Sequence, residues 1–250
     1  MRIISLAPSN TEILYALGAQ DNLVAVTRFC DYPADAKDKP RVSGWTDVDV
    51  PKIAALKPDL VLTSSIVQAK IAHDLRAAGL QVIHLDPKNL EDVLESFLKI
   101  GHAVNRGEAA RKLIIETEEA LAKIVRGVTL GKKVYVEEWH QPPTASANWV
   151  PDLLALIGCQ SMVSSGQYSK PVATEDVQTF NPDAIVLSWC GFGTKADEVS
   201  VTQRAGWQQL DAVQKGNIFI LDDSLLNRPG PRLVEGLKLL IEVAKQTMPN

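Results

Sequence analysis

The chain carries one short motif twice, once in each half. Residues 57–62 read KPDLVL and residues 181–187 read NPDAIVL. Each copy begins where an amphipathic, helix-like stretch reaches a proline, and proline disfavours a helical conformation in the residue before it. The apolar run after each aspartate is short enough to be a buried strand of a parallel sheet. The repeat therefore predicts two similar α/β lobes with a ligand-binding crevice between them.

The composition is that of a globular protein and argues against nucleic-acid binding. The 250 residues are 46% hydrophobic, which is enough to build a packed core in each of two lobes. The formal net charge is -4, and the sequence has no cluster of lysine and arginine interleaved with aromatic residues. No run of about 18 apolar residues occurs, so we expect no insertion into a membrane.

Two features favour a cytoplasmic protein. Residues 1–6 (MRIISL) enter a strand-like pattern directly, without the charged and apolar regions of a leader. The three cysteines, Cys30, Cys159 and Cys190, form no CxxC pair and are odd in number, which suits buried thiols in a reducing compartment. The alternative is a periplasmic or surface-anchored protein from which the leader has been removed.

The alternation of helix-like and strand-like segments divides the chain into three parts. Residues 1–87 predict an N-terminal α/β lobe, and residues 128–250 predict a C-terminal one. Residues 88–127 are helical and charged, and their second helix would be about 28 Å long at about 1.5 Å per residue. We therefore predict an α/β fold in which two similar lobes with parallel-sheet cores are joined by a long interdomain helix.

Sequence signatures of common enzymes are missing, among them GxSxG, HExxH, a GxGxxG after a strand and a phosphate-binding loop. We therefore expect a binding protein and not an enzyme.

His140 stands out among the scattered histidines because it follows a strand in an aromatic loop bounded by Pro142 and Pro143. It is a candidate ligand contact or axial metal ligand, with a purely structural role as the alternative. The competing hypothesis is an enzyme that acts on a metal chelate or tetrapyrrole, with His140, Glu137 or Glu138 as acid or base.

Aromatic residues are few but gather where strands are predicted to end. At the mouth of a cleft, such rings bury planar ligands at a small cost in side-chain entropy, while a few polar groups fix the orientation of the ligand. Packing beneath their own loops is the alternative for these rings. The candidate ligand contacts at strand ends are Tyr32, Trp45, Trp139, Trp189 and Phe192, together with the polar Ser65.

Arg228 lies in the loop 227–232 (NRPGPR), between the last predicted strand and the last predicted helix. The prolines would hold its guanidinium in place, and the planar donors of that group suit an amide, a carboxylate or a phosphate of a ligand. The alternative is that Arg228 binds backbone carbonyls or pairs with Asp222 or Asp223 within its own lobe.

Five segments together resemble the helical-backbone, or class III, substrate-binding proteins of metal-chelate transport, and most of all their cobalamin-binding branch. They are 4–12 (ISLAPSNTE), 31–33 (DYP), 42–45 (VSGW), 55–61 (ALKPDLV) and 228–232 (RPGPR). The resemblance implies two α/β lobes joined by one long helix, with a corrinoid, an iron-siderophore or haem held between the lobes. It implies uptake or intracellular handling of that ligand, without turnover and without a cofactor.

The same resemblance assigns roles to individual residues. It implies that Tyr32 and Trp45 face the ligand from the first lobe, and that Arg228 supplies a polar contact from the second lobe.

Such proteins also dock onto an ABC permease through one exposed glutamate on each lobe, which meets arginines of the permease. At the matching place in the first lobe this chain has Lys70, which would repel an arginine. In the second lobe Asp197 and Glu198 could serve. A cytoplasmic corrinoid-binding relative that has lost its permease would explain both the lysine and the start of the chain.

Overall fold

The structure is a computed structural model that describes residues 1–247, and these residues form two compact units. The first unit comprises Met1–Pro87 and Glu91–Thr117, and the second comprises Lys88–Leu90 and the chain from Glu118 onward. Within the described residues, none of the helices combines the length and the apolar character that crossing a bilayer requires.

The first unit is built on a five-stranded sheet in which every neighbouring pair is parallel, in the order β3-β2-β1-β4-β5. Its strands are β1 (Ile3–Ser5), β2 (Leu23–Thr27), β3 (Arg41–Ser43), β4 (Leu60–Ser64) and β5 (Val82–Leu85). The helices that connect or follow them are α1 (Pro8–Ala16), α2 (Val50–Ala55), α3 (Ala69–Ala77), α4 (Leu90–Ala103) and α5 (Gly107–Val125). The division between the two units falls within α5.

The central strands β1 and β4 are buried along their whole length, as expected for parallel strands covered on both faces. Ile4 and Val61 from these strands pack with Ile53 of α2 and Leu75 of α3 in one apolar cluster. Asp49 caps helix α2, because its Oδ1 accepts a hydrogen bond from a first-turn backbone N–H at 3.0 Å.

The second unit has a mixed sheet with a parallel core. Strands β11, β10 and β6 are parallel neighbours, β8 is also parallel to β6, and β7 and β9 add antiparallel pairs. The strands are β6 (Lys133–His140), β7 (Pro143–Ala145), β8 (Gln160–Ser161), β9 (Lys170–Pro171), β10 (Ala184–Leu187) and β11 (Ile218–Ile220). The helices are α6 (Val150–Leu156), α7 (Thr174–Phe180), α8 (Glu198–Thr202), α9 (Asp211–Gln214) and α10 (Leu233–Gln246).

The two copies of the repeated motif make the same hydrogen bonds. In the first unit the N–H of Arg2 donates to Asp59 Oδ2 at 2.6 Å, and the N–H of Asp59 donates to the Arg2 carbonyl at 2.8 Å. In the second unit the N–H of Lys133 donates to Asp183 Oδ2 at 2.8 Å, and the N–H of Asp183 donates to the Lys133 carbonyl at 2.8 Å. Each aspartate therefore joins the start of one central strand to the start of its neighbour.

Strand β6 continues to His140, although the sequence predicted a loop from Glu138 onward. The reason is strand β7, which turns back and pairs antiparallel with β6, so that Trp139 lies opposite Thr144 and His140 opposite Pro143. Pro143 is the first residue of β7, a position where the missing N–H of proline is tolerated.

Gly101 lies inside α4 and does not interrupt it, although glycine is a poor helix former. The break comes at Asn105, which has a positive φ of 56°. A Cβ atom on Gly101 would lie 2.4 Å from the Cβ of Ala110 on α5. The glycine therefore allows α4 and α5 to pack closely.

The shared aspartate contacts predict the effect of removing them. Asp183→Ala should lower the free energy of unfolding by about 1 to 2 kcal/mol, because the half-buried N–H of Lys133 loses its acceptor. Asp59→Ala should cost less, because the N–H of the exposed Arg2 can bind water instead. Urea denaturation followed by circular dichroism measures both values.

Asparagine at either position is the matched control, since its side-chain oxygen can still accept the bond. Stability losses in Asp183→Asn as large as those in Asp183→Ala would show that the acceptor is not what matters.

Candidate functional site

The loops that follow β2, β3 and β4 lie at the carboxyl edge of the first sheet. Because these neighbouring parallel strands end at one edge, Tyr32, Trp45 and Ser65 are brought to the same side of the unit. Tyr32 is 44% exposed, and Phe29 in the same loop is 41% exposed, whereas Trp45 is half-buried. This edge therefore presents two exposed aromatic rings and one half-buried indole.

A fully buried amide, Gln68, connects the segments at the carboxyl ends of β1, β3 and β4. Its Oε1 accepts from the N–H of Ser64 at 2.8 Å, and its Nε2 donates to the carbonyls of Leu6 and Trp45, both at 2.8 Å. The loops after β1, β3 and β4 are thereby held to a single side chain. Sequence reasoning missed this role, because a buried amide gives no periodic signal.

Lys70, which was expected to disfavour docking, and the docking candidates Asp197 and Glu198 are all exposed. Lys70 forms an ion pair with Asp74, one helical turn away, at 2.6 Å. Asp197 caps α8 through a 3.0 Å hydrogen bond from the N–H of Val199, and Glu198 lies in the first turn of that helix. Their role in docking stays a prediction.

Four aromatic side chains meet at the carboxyl edge of the second sheet. We call Trp139, His140, Trp189 and Phe192 the ring cluster. The centroid of the His140 ring lies 4.9 Å from that of Trp139, 4.7 Å from that of Trp189 and 5.3 Å from that of Phe192. Trp139 is 40% exposed, whereas Trp189 is only 2% exposed. The cluster therefore has a solvent-facing indole and a buried one beneath it.

Within the described part of the chain, the buried Nδ1 atom of His140 has no hydrogen-bond partner. A buried ring nitrogen without a hydrogen-bond partner costs free energy, because nothing replaces the contact with water that it lost on burial. The same part of the chain holds no group of three or more histidine, cysteine, aspartate or glutamate side chains arranged to hold a metal ion.

Glu137 is fully buried below the ring cluster, and both of its oxygens are occupied. Oε1 accepts from Trp189 Nε1 at 2.9 Å, and Oε2 accepts from the Tyr135 hydroxyl at 2.9 Å. The guanidinium of Arg204 donates to both oxygens, at 2.5 Å and 2.8 Å. A carboxylate held by four donors inside its unit is a structural group, which argues against the use of Glu137 as an acid or base.

The neighbouring Glu138 has a different environment. Burial raises its pKa above the ordinary value of 4.5, and hydrogen bonds with Ser169 and Ser146 oppose the shift. The Ser146 hydroxyl lies 3.4 Å from Glu138 Oε2. Sequence reasoning treated the two adjacent glutamates alike, but their surroundings separate them.

The loop that carries Arg228 is held by its neighbours. Asn227 Nδ2 donates to the Ser188 carbonyl at 2.6 Å, and the buried indole of Trp149 donates to the Leu226 carbonyl at 2.7 Å. The half-buried Arg228 follows directly and lies between this anchored segment and α10. Because Ser188 follows β10, the loop joins the same carboxyl edge as the ring cluster.

Substitution of Glu138 tests its raised pKa. The folded protein keeps this proton at pH values where the unfolded chain has released it, so the free energy of unfolding should fall as pH rises from the unfolded value of 4.5 through the raised folded value. Glu138→Gln should flatten that slope and should be more stable than wild type near about pH 8. Urea denaturation at several pH values measures the slope.

The control is Glu118→Gln, which removes a carboxylate from the exposed face of α5 and should retain the wild-type slope. If the free energy of unfolding of Glu138→Gln depends on pH as strongly as that of wild type, the raised pKa of Glu138 is contradicted.

Comparison with known proteins places these features in a family. The family model described as periplasmic binding protein matches residues 3–225. An uncharacterized ABC transporter substrate-binding lipoprotein of Bacillus subtilis is 33% identical over 253 residues, covering 96% of this chain and 79% of that protein. The vitamin B12-binding protein of Pectobacterium atrosepticum is 27% identical over 244 residues, covering 93% and 84%.

The solved structure of the periplasmic vitamin B12 binding protein of Vibrio cholerae has a TM-score of 0.78 and 25% identity, and the match covers 100% of this chain and 98% of that one. The two parallel-sheet units and this similarity confirm the predicted fold class.

The expectation of a cytoplasmic protein is wrong. The Bacillus relative is a lipoprotein and the Vibrio protein is periplasmic. The expectation of buried thiols holds for Cys30 and Cys159, whose pKa is raised by burial, and is wrong for Cys190, which is exposed.

The family consists of proteins that bind substrates for transport, which confirms the prediction of a binding protein and not an enzyme. The chain belongs to the periplasmic binding protein family, as a class III substrate-binding protein of the ABC transporter type, and it resembles the cobalamin-binding branch of that family.

Proposed function

We propose that the protein binds cobalamin or a related corrinoid outside the cytoplasm and delivers it to an ABC permease. The observation that carries this proposal is the ring cluster, in which an exposed indole, a histidine and a phenylalanine lie together at one sheet edge. Such a surface suits a large, flat, partly apolar ligand. Relatives named for vitamin B12 binding support the choice of a corrinoid.

The members of the ring cluster take different parts in this proposal. Trp139, His140 and Phe192 contact the ligand. Trp189 supports them from below, because a side chain that is 2% exposed has almost no surface to offer a ligand.

In the first unit, the rings of Tyr32 and Trp45 contact the apolar parts of the ligand. The amides at the rim of a corrinoid suit hydrogen-bonding groups, which we assign to the hydroxyl of Ser65 and, from the second unit, the guanidinium of Arg228. Delivery uses Asp197 and Glu198 on α8 as the permease-docking site of the second unit.

Ligand titration tests the proposal. The purified protein should bind cyanocobalamin at least about tenfold more tightly than haem or a ferric siderophore, as measured by isothermal titration calorimetry. Tighter binding of haem or of the siderophore would identify that chelate, and not a corrinoid, as the ligand. If the protein binds none of the three, the proposal is wrong.

Substitution of the exposed rings tests the site. Trp139→Leu and Tyr32→Leu should each weaken cyanocobalamin binding by about tenfold or more, because aromatic anchors carry a large share of binding energy. Phe180→Leu is the matched control, since Phe180 is a half-buried ring at the amino edge of the second sheet and should retain wild-type affinity. Equal affinities in all three variants would contradict the proposed site.

Aquocobalamin reports on His140. If a ring nitrogen of His140 replaces the exchangeable water on cobalt, the absorption bands of bound aquocobalamin should shift in the wild type and not in His140→Phe. The same spectrum for both proteins would leave His140 as a contact to the corrinoid and remove it as a metal ligand.

A further inference from the structure

A buried ion pair lies behind the ring cluster. Arg204 is 14% exposed at its side chain, and its partner Glu137 is fully buried. The contact is bidentate, with Arg204 Nη1 2.5 Å from Glu137 Oε2 and Nη2 2.8 Å from Oε1. The guanidinium also lies over the Trp207 ring, 4.7 Å from its centroid. Removal of charges from water offsets much of the attraction in such a pair, so a purely stabilising role explains it poorly.

The ion pair reaches the ring cluster by two hydrogen bonds. Glu137 Oε1 accepts from the indole Nε1 of Trp189 at 2.9 Å, and Arg204 Nη2 donates to the backbone carbonyl of His140 at 3.2 Å. The first bond fixes the ring of Trp189 in the segment after β10. The second fixes the backbone of His140, the last residue of β6. These are the two members of the ring cluster whose centroids are 4.7 Å apart.

A shift of Trp189 or His140 would also displace the exposed indole of Trp139. The ring of His140 is tilted by 46° against that of Trp139, with the centroids 4.9 Å apart, and Trp139 also meets Phe192 edge to face at 6.1 Å. Packed rings transmit displacement because interiors have little free volume.

We propose that Arg204 is a positioning residue for the ligand site, which acts through Glu137, Trp189 and the His140 backbone to hold the ring cluster in its binding arrangement. This inference rests on the proposed function. Arg204 itself does not contact the corrinoid. Its guanidinium is required because a planar fork can bind both oxygens of Glu137 and the His140 carbonyl at once, which a lysine ammonium cannot reproduce.

The first measurement needs no ligand. Hydrogen exchange of the Trp189 indole N–H, assigned in NMR spectra by its loss in Trp189→Phe, should be at least about tenfold faster in Arg204→Met than in wild type. The second measurement is cyanocobalamin affinity, which should fall by about tenfold or more in Arg204→Met and by a smaller factor in Arg204→Lys.

Arg204→Met leaves a lone buried carboxylate and can fail to fold for that reason, so the double variant Glu137→Gln/Arg204→Met removes both charges. It should fold and still bind at least about tenfold more weakly than wild type. The control for general loss of stability is Leu240→Ala, a buried position on α10 outside the apolar cluster that contains Trp189. Its affinity and indole exchange, measured where it is folded, should stay within about twofold of wild type.

Wild-type affinity and wild-type indole exchange in the folded double variant would overturn the inference. If the wild-type protein binds no corrinoid, the proposed function fails, and the indole exchange rates alone then decide whether Arg204 holds Trp189 in place.

Discussion

In each unit the motif aspartate ties the amino ends of two neighbouring central strands together through backbone hydrogen bonds. Asp59 and Asp183 make the same contacts to Arg2 and Lys133 at the amino ends of the central strands. In a sheet, a shift of one residue in register would turn every side chain to the opposite face. Register set at the amino ends therefore decides which residues emerge at the carboxyl ends, where the candidate ligand contacts lie. The repeated motif thus has a structural role at the amino ends of the strands, and through the register it affects the candidate site at their carboxyl ends.

Behind the loops at the carboxyl edge, each unit has a fully buried polar side chain whose oxygen and nitrogen atoms are all hydrogen-bonded. In the first unit it is Gln68, a neutral amide that joins three loops, and in the second it is Glu137, a carboxylate held by Arg204 and two other side chains. A satisfied polar network has one low-energy arrangement, because any other leaves a buried group without a partner. The segments that carry Trp45 and Trp139 therefore have well-defined supports, which limits the entropy that a ligand must remove on binding.

Local patterns predicted the elements well, and contacts between distant residues escaped prediction. The Asp49 cap and the helix Leu233–Gln246 follow from capping chemistry and a 3.6-residue period, which neighbouring residues determine. The continuation of β6 to His140 depends on its pairing with β7, and a proline pair in isolation favours a loop. The roles of Gln68 and Arg204 depend on partners up to 62 and 67 residues away, and sequence spacing carries no trace of such pairs. Sequence reasoning thus found aromatic candidates at strand ends but not the buried groups beneath them.

The adjacent glutamates of β6 show why this edge suits binding better than catalysis. Glu137 is committed to a bidentate guanidinium, and the pKa of Glu138 is raised by burial. A general acid or base must reach the substrate and exchange its proton with it, whereas Glu137 faces Arg204 and Trp189 inside the unit. The Glu137–Arg204 ion pair positions Trp189 and the backbone of His140. Groups that contact the ligand equally in its ground state and in any transition state give affinity without turnover. That is the property a transport protein requires, since its ligand must be released unchanged.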